Sequence, residues 1–170
     1  MTNKERIISL LRKVDRPGVD ALIDFVETST FFTANCYGHH FLGIGGVCEH
    51  TLEVYDYMMR HNVLGLDEES IIIASIGHDL GKARKDGFLF RGRHDQRSLQ
   101  ILRKCGVQLT ADEATAIENH KPGWSYRVRT ALRCPLYALL VSGDCHSTGE
   151  WKRMHPKEVA ARRERRHHKK

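Results

Sequence analysis

The sequence predicts an all-α fold, a single helical bundle, on three observations. Apolar residues recur at spacings of three and four along most of the chain, alternating strand-like runs are almost absent, and several helix starts carry their own capping residues. Ile7, Ile8, Leu10, Leu11 and Val14 share one face of a first helix, the "RPG" stretch breaks it, and Val19, Leu22, Ile23 and Val26 form a second short one. Residues 33–46 read as a loop with Gly38, Gly43, Gly45 and Gly46. A long helix follows from Val47 to about His61, burying Val47, Val54, Tyr55 and Met58, and Gly65 marks the stop.

Asp67 suits an N-cap, with Glu68 and Glu69 in a first turn where the helix dipole favours anions, so a helix is expected over 68–83. Another is expected over 93–105, ended by Gly106. Thr110 and Glu113 have capping-box spacing and launch a helix to about Asn119, closed by Pro122. The apolar window of Leu132, Leu136, Leu139, Leu140 and Val141 predicts one more helix, with Asp144 at its far end.

At 170 residues and 41% hydrophobic content the chain can bury one good core, so a single domain is expected over 1–150, including the two N-terminal helices. Its start, "MTNKERIISLLRK", is too polar and too broken for a signal peptide or membrane span, which predicts a cytoplasmic protein with no membrane partner. Cys36, Cys48, Cys105, Cys134 and Cys145 are odd in number and form no CxxC pair, which disfavours a disulfide framework and a zinc knuckle and suggests reduced packing thiols. Residues 151–170 hold nine Lys or Arg against two acids, a net of +7, whereas the whole chain carries +6. This C-terminal tail is therefore either a solvated helix end or an arm for RNA or DNA whose binding would fall with salt.

The chemistry-bearing residues cluster by type. "SIGHDLGKARKDG" ends a strongly apolar helix on His78 and Asp79, a pair that is either a hydrogen-bonded core feature or part of a metal site. His50, His94, His120 and Asp144 each fall on or beside a different expected helix, the way a bundle projects one ligand per helix into a shared site. Imidazole and carboxylate donors suit Mn, Fe, Ni, Zn or Mg. Plainer roles also fit: a surface acid for Asp144, a helix-start residue for His94, a dipole-favoured C-terminal histidine for His120. Asp79 can follow His78 in one site only where the helix opens, and Gly81 suits that departure.

Taken in order, "GGVCEHT", "GHDLGK" and "SGDCHS" resemble the motif series of the HD-domain superfamily of metal-dependent phosphohydrolases, over about residues 35–147. The resemblance implies an all-helical HD-domain bundle with a divalent metal held by His50, His78, Asp79 and Asp144. His94 and His120 match the further histidines of members that bind a second metal, with Asp79 as the bridge, so one or two ions per chain are implied. In such a site the metal lowers the pKa of bound water, and a pair about 3.5–4 Å apart grips both the attacking hydroxide and the phosphoryl oxygens. Asp79 and Lys82 are the catalytic candidates, Lys82 as a point charge near the substrate phosphate.

Further candidates for substrate contact are His39 and His40 on the Gly-rich loop, which could equally be a solvent-exposed pair, and Lys121 and Arg84, each able either to recruit phosphate or to face water. The phrase "HHFLGIGGVCEHT" most resembles HD domains of 3′-to-5′ exoribonucleases, while "NHKPGWSY" lacks the Gly-Tyr-Pro signature of cyclic-dinucleotide phosphodiesterases. The expected function is hydrolysis of a phosphomonoester or phosphodiester of a small phosphorylated or nucleotide-type substrate. The alternative is a non-catalytic module that senses a nucleotide or binds nucleic acid through the basic tail.

Overall fold

The structure, a computed structural model, describes residues 1–36, 45–88, 90–120 and 124–154, with the side chains of 124–127 and 150–154 excepted. The described residues form eight α-helices and no strand: α1 (Asn3–Leu11), α2 (Val19–Thr28), α3 (Gly46–Arg60), α4 (Glu68–Gly77), α5 (His94–Lys104), α6 (Ala111–Asn119), α7 (Trp124–Ala131) and α8 (Pro135–Met154), with a 3-10 turn over Leu80–Lys82. The all-α expectation holds. None of these helices is long and apolar enough to cross a membrane.

Local signals place most of these elements. Thr2 and Thr110 close capping boxes with Glu5 and Glu113, and the Asp67 carboxylate accepts from Ser70 N at 2.9 Å, so α1, α4 and α6 start on side-chain caps. Pro135 opens α8, where its missing N–H costs nothing. Helix α4 is the centre of the bundle: every residue from Ile71 to Gly77 is buried, and the helix contacts α1, α3, α5, α6 and α8. Helix α3 lies against α8, where Gly143 allows close approach; a Cβ there would meet Val54 and Tyr57 at 3.3 Å.

Three expectations are corrected. The helix expected over 68–83 stops at Gly77, because Asp79 leaves helical geometry at φ −112°, ψ 7°, and the chain continues as the 3-10 turn. Helix α7 was not expected, since "WSYRVRTA" carries no continuous apolar stripe, and Leu132 lies exposed in the turn before α8 instead of within a buried helix. Asp144 sits in the interior of α8 and not at its far end, because that helix runs on to Met154.

A buried ion pair ties the helix starts together. Glu113 is fully buried and accepts from Arg16 Nη1 at 2.6 Å, Ser70 Oγ at 2.7 Å and Thr110 N at 2.8 Å, joining the α1–α2 turn, α4 and α6. Arg16 Nε also reaches Glu69 Oε2 at 2.9 Å. Removing one partner of such a pair strands the other charge in the interior. Arg16→Met is therefore expected to lower unfolding stability by about 3 kcal/mol, read as a drop in denaturant midpoint at unchanged slope, and a second substitution, Glu113→Gln, is expected to recover part of the loss.

Candidate metal centre

The break between α4 and the 3-10 turn sets the geometry of the site. His78 is the last residue to keep a helical hydrogen bond, from its N–H to Ala74 O at 3.0 Å, and Asp79 then turns away. Ser98 of α5 fastens the break: its hydroxyl donates to His78 O and accepts from Gly81 N, both at 2.9 Å. Gly81 has to be glycine here, because a Cβ would meet the His94 carbonyl oxygen at 2.0 Å. This close approach delivers His94, the first residue of α5, to the side of Asp79. The adjacent Asp95, fully buried and ion-paired with Arg93, accepts from Gln96 N at 3.0 Å and anchors the same helix start.

All six residues implied as metal ligands converge. The Asp79 carboxylate, 1% exposed, stands between two groups of imidazoles. Its Oδ2 lies 3.6 Å from His50 Nε2 and 3.5 Å from His78 Nε2, while its Oδ1 lies 3.6 Å from His94 Nε2 and 4.0 Å from His120 Nε2. Asp144 Oδ1 closes the first group at 3.2 Å from His50 Nε2. Ligand atoms of His50, His78 and Asp144 lie within 4.8 Å of one another, as do those of Asp79, His94 and His120, and those of Cys36, His50 and Asp79. Only His94 and Asp144 retain some exposure, with side chains 18% and 13% accessible, so the cluster opens towards solvent beside them.

Hydrogen bonds on the far nitrogens orient three of the rings. His78 Nδ1 lies 2.6 Å from Ser75 O and His120 Nδ1 lies 2.7 Å from Ile117 O; a carbonyl only accepts, so both nitrogens carry the proton. Ser147 gives its hydroxyl proton to Glu53 Oε2 at 2.7 Å and so accepts from His50 Nδ1 at 3.0 Å. In neutral rings this turns the Nε2 lone pairs inward, and those of His50 and His78 face each other at 3.3 Å.

Two acceptors at that distance fit a cation held between them, and the second pair, His94 Nε2 and His120 Nε2 at 3.1 Å, stands beside an Asp79 Oδ1 that is buried with no hydrogen-bond partner. Nitrogen and oxygen donors in this proportion suit a divalent transition metal.

The electrostatics agree with a cation site. Burial drives the His78 pKa down to about 3, which keeps its Nε2 available as a donor to metal. Burial alone would raise Asp79, yet Lys82 and the surrounding imidazoles outweigh it and hold the carboxyl well below its usual range. Asp144 is lowered in the same way, with His50 outweighing its burial.

Lys82 lies inside this network. Burial would depress its pKa, but Asp79 raises it, and Nζ pairs with Asp79 Oδ2 and donates to Cys36 Sγ at 2.9 Å. Arg84 is exposed, with its backbone N–H bonded to Thr30 Oγ1. His39, His40 and Lys121 lie outside the described residues, as does the basic tail from residue 155.

Four contributors escape a reading of the sequence. Ser147, Glu53 and Ser98 act through contacts spanning 17 to 97 positions and carry no local signal. Cys36, expected as a packing thiol, is fully buried but stands in the cluster.

The family model described as HD domain matches residues 47–164, so the chain belongs to the HD-domain family. All six converging side chains lie within that span. No curated protein and no solved structure matches the chain.

Because the Ser147 hydroxyl orients His50 and links it to Glu53, Ser147→Ala is expected to weaken metal binding about 10–100-fold. Calorimetric titration of chelator-treated protein with Mn, alongside circular dichroism to confirm unchanged helicity, measures the loss.

Proposed function

We propose that this HD-domain chain is a metal-dependent phosphohydrolase cleaving a phosphomonoester or phosphodiester of a small nucleotide-type substrate. Members of the family are generally metal-dependent phosphohydrolases. The observation that carries the proposal is the division of one buried carboxylate, Asp79, between two histidine groups, Oδ2 towards His50 and His78 and Oδ1 towards His94 and His120. His50, His78, Asp79 and Asp144 would hold one divalent ion, and Asp79, His94 and His120 a second.

Such ions, when bound, make water nucleophilic near neutral pH and offset charge on the phosphoryl oxygens. The chain's own residues do the rest. The far-side bonds to Ser75 O, Ile117 O and Ser147 fix the ring orientations in advance, so little reorganisation accompanies the reaction. Lys82 keeps Asp79 ionised and supplies a fixed positive charge beside it. The mouth beside His94 and Asp144 admits the phosphate end of a substrate while the buried side excludes bulk water. On sequence grounds His39, His40 and Lys121 join Lys82 as substrate-contacting residues in this reading, and the C-terminal tail is assigned contact with RNA or DNA.

A nucleotide-sensing module without turnover is the competing class, and one experiment separates them. Protein purified without chelator is assayed for metal per chain and for hydrolysis of bis-p-nitrophenyl phosphate and p-nitrophenyl phosphate with added Mn. Bound metal and turnover are expected, with Asp79→Asn lowering turnover about a thousandfold or more while leaving helicity unchanged. Undiminished turnover in Asp79→Asn, or a protein that takes up no divalent ion, would remove the proposal.

A further inference from the structure

Cys36 is the last described residue before position 45 and lies outside the residues 47–164 that match the family model, so nothing in that match assigns it a role. Its side chain is fully buried, and its sulfur lies 3.8 Å from Asp79 Oδ2 and 2.9 Å from Lys82 Nζ. Sγ, a nitrogen of His50 and a carboxylate oxygen of Asp79 all fall within 4.8 Å of one another. For a tetrahedral cation, bond lengths of about 2.3 Å to sulfur and about 2.0–2.2 Å to oxygen place those two ligand atoms about 3.6 Å apart. The Cys36–Asp79 separation of 3.8 Å approaches that spacing, and His50 Nε2 lies 3.6 Å from the same oxygen.

A second observation points to the same ligand. The other oxygen of this carboxylate, Asp79 Oδ1, is buried without a hydrogen-bond partner although Lys82 pairs with Oδ2, so the carboxylate retains an unused acceptor for a further positive partner. Cys36 shares the hydrophobic core with Cys48, Cys105 and Cys134, but among the described residues it is the cysteine that stands in a group of metal-capable side chains, and Cys145 is exposed.

We propose that Cys36 is a metal ligand of this chain, acting with His50 and Asp79 to make the site prefer zinc, ferrous or cobaltous ions over magnesium. The inference rests on the metal-centre reading above and deepens it by naming the ion class. On binding, the thiol proton leaves to solvent and a sulfur lone pair enters the coordination shell. Lys82 stays as the N–H donor to that sulfur and to Asp79 Oδ2, orienting both ligands. Magnesium demands oxygen donors and near-octahedral geometry, and a set of one sulfur, two carboxylates and several imidazoles offers it few.

Cobalt reads the contact directly, without reference to activity. Full-length protein stripped of metal and loaded with Co(II) is expected to show visible d–d bands together with a sulfur-to-cobalt charge-transfer band in the near ultraviolet. Cys36→Ser and Cys36→Ala are expected to keep the d–d bands and lose the sulfur band, whereas Cys145→Ser keeps both. Zinc affinity is expected to fall about 10–100-fold in Cys36→Ser, with manganese affinity changing far less.

Cobalt bound without a sulfur band in the unsubstituted chain overturns the proposal and leaves the metal centre standing. A sulfur band that survives both Cys36 substitutions does the same. Failure to bind cobalt at all overturns this inference and the metal-centre reading together.

Discussion

The interaction on which the site depends is the burial of the Asp79 carboxylate among groups that can hold it ionised. An isolated carboxylate in a protein interior is strongly disfavoured. Here burial pushes the acid up, the Lys82 ammonium paired with one oxygen pulls it down, and the acid stays well below its usual pKa. That balance exists only at a break in the chain. In a continuing helix, His78 and Asp79 would point about 100° apart, and one could enter the cluster only at the expense of the other. Ending α4 at Gly77 lets both enter.

The rest of the fold can be understood as the means of keeping that break in place. Helix α4 is apolar on all sides and enclosed by its neighbours, which fixes where its C-terminus emerges. Ser98 satisfies the backbone groups that the break frees, and Gly81 lets α5 come close enough to present His94. Glu113 and Arg16 hold the opposite end of α4 to α6, whose last turn carries His120. On the other side, Gly143 brings α8 against α3 beside the place where Asp144 and Ser147 meet His50. Small polar contacts of this kind add modestly to stability one at a time, but each fixes the aim of a ligand that a metal reads to within tenths of an ångström.

Much of this was legible in the sequence where the signal is local. Spacings of three and four placed α1 and α2, Asp67 marked the start of α4 and Thr110 with Glu113 that of α6, and the order of the His and Asp motifs pointed to six side chains that do meet. What was illegible is of another kind. Helix α7 has no apolar stripe to betray it, and the position of Asp144 within α8 depends on where a long helix finally ends, which periodicity locates poorly. The Ser147–His50–Glu53 relay and the place of Cys36 are products of tertiary contact between segments far apart in the chain. A single serine or cysteine gives no sign of the partner that folding will supply.

Formal charge in the cluster narrows what can enter it. With the histidines neutral, Asp79 and Asp144 against Lys82 leave one negative charge inside the site. One dication reverses that to a single positive charge and two raise it to three, in a pocket where low dielectric makes each uncompensated charge costly. A phosphate ester carrying one or two negative charges restores near neutrality, and a neutral ester or amide does not. Cys36, if deprotonated on coordination, removes one positive charge from each case, so that two dications and the thiolate match a phosphate dianion. The proposed preference for phosphoesters then has a second support, the balance of charge within the bundle.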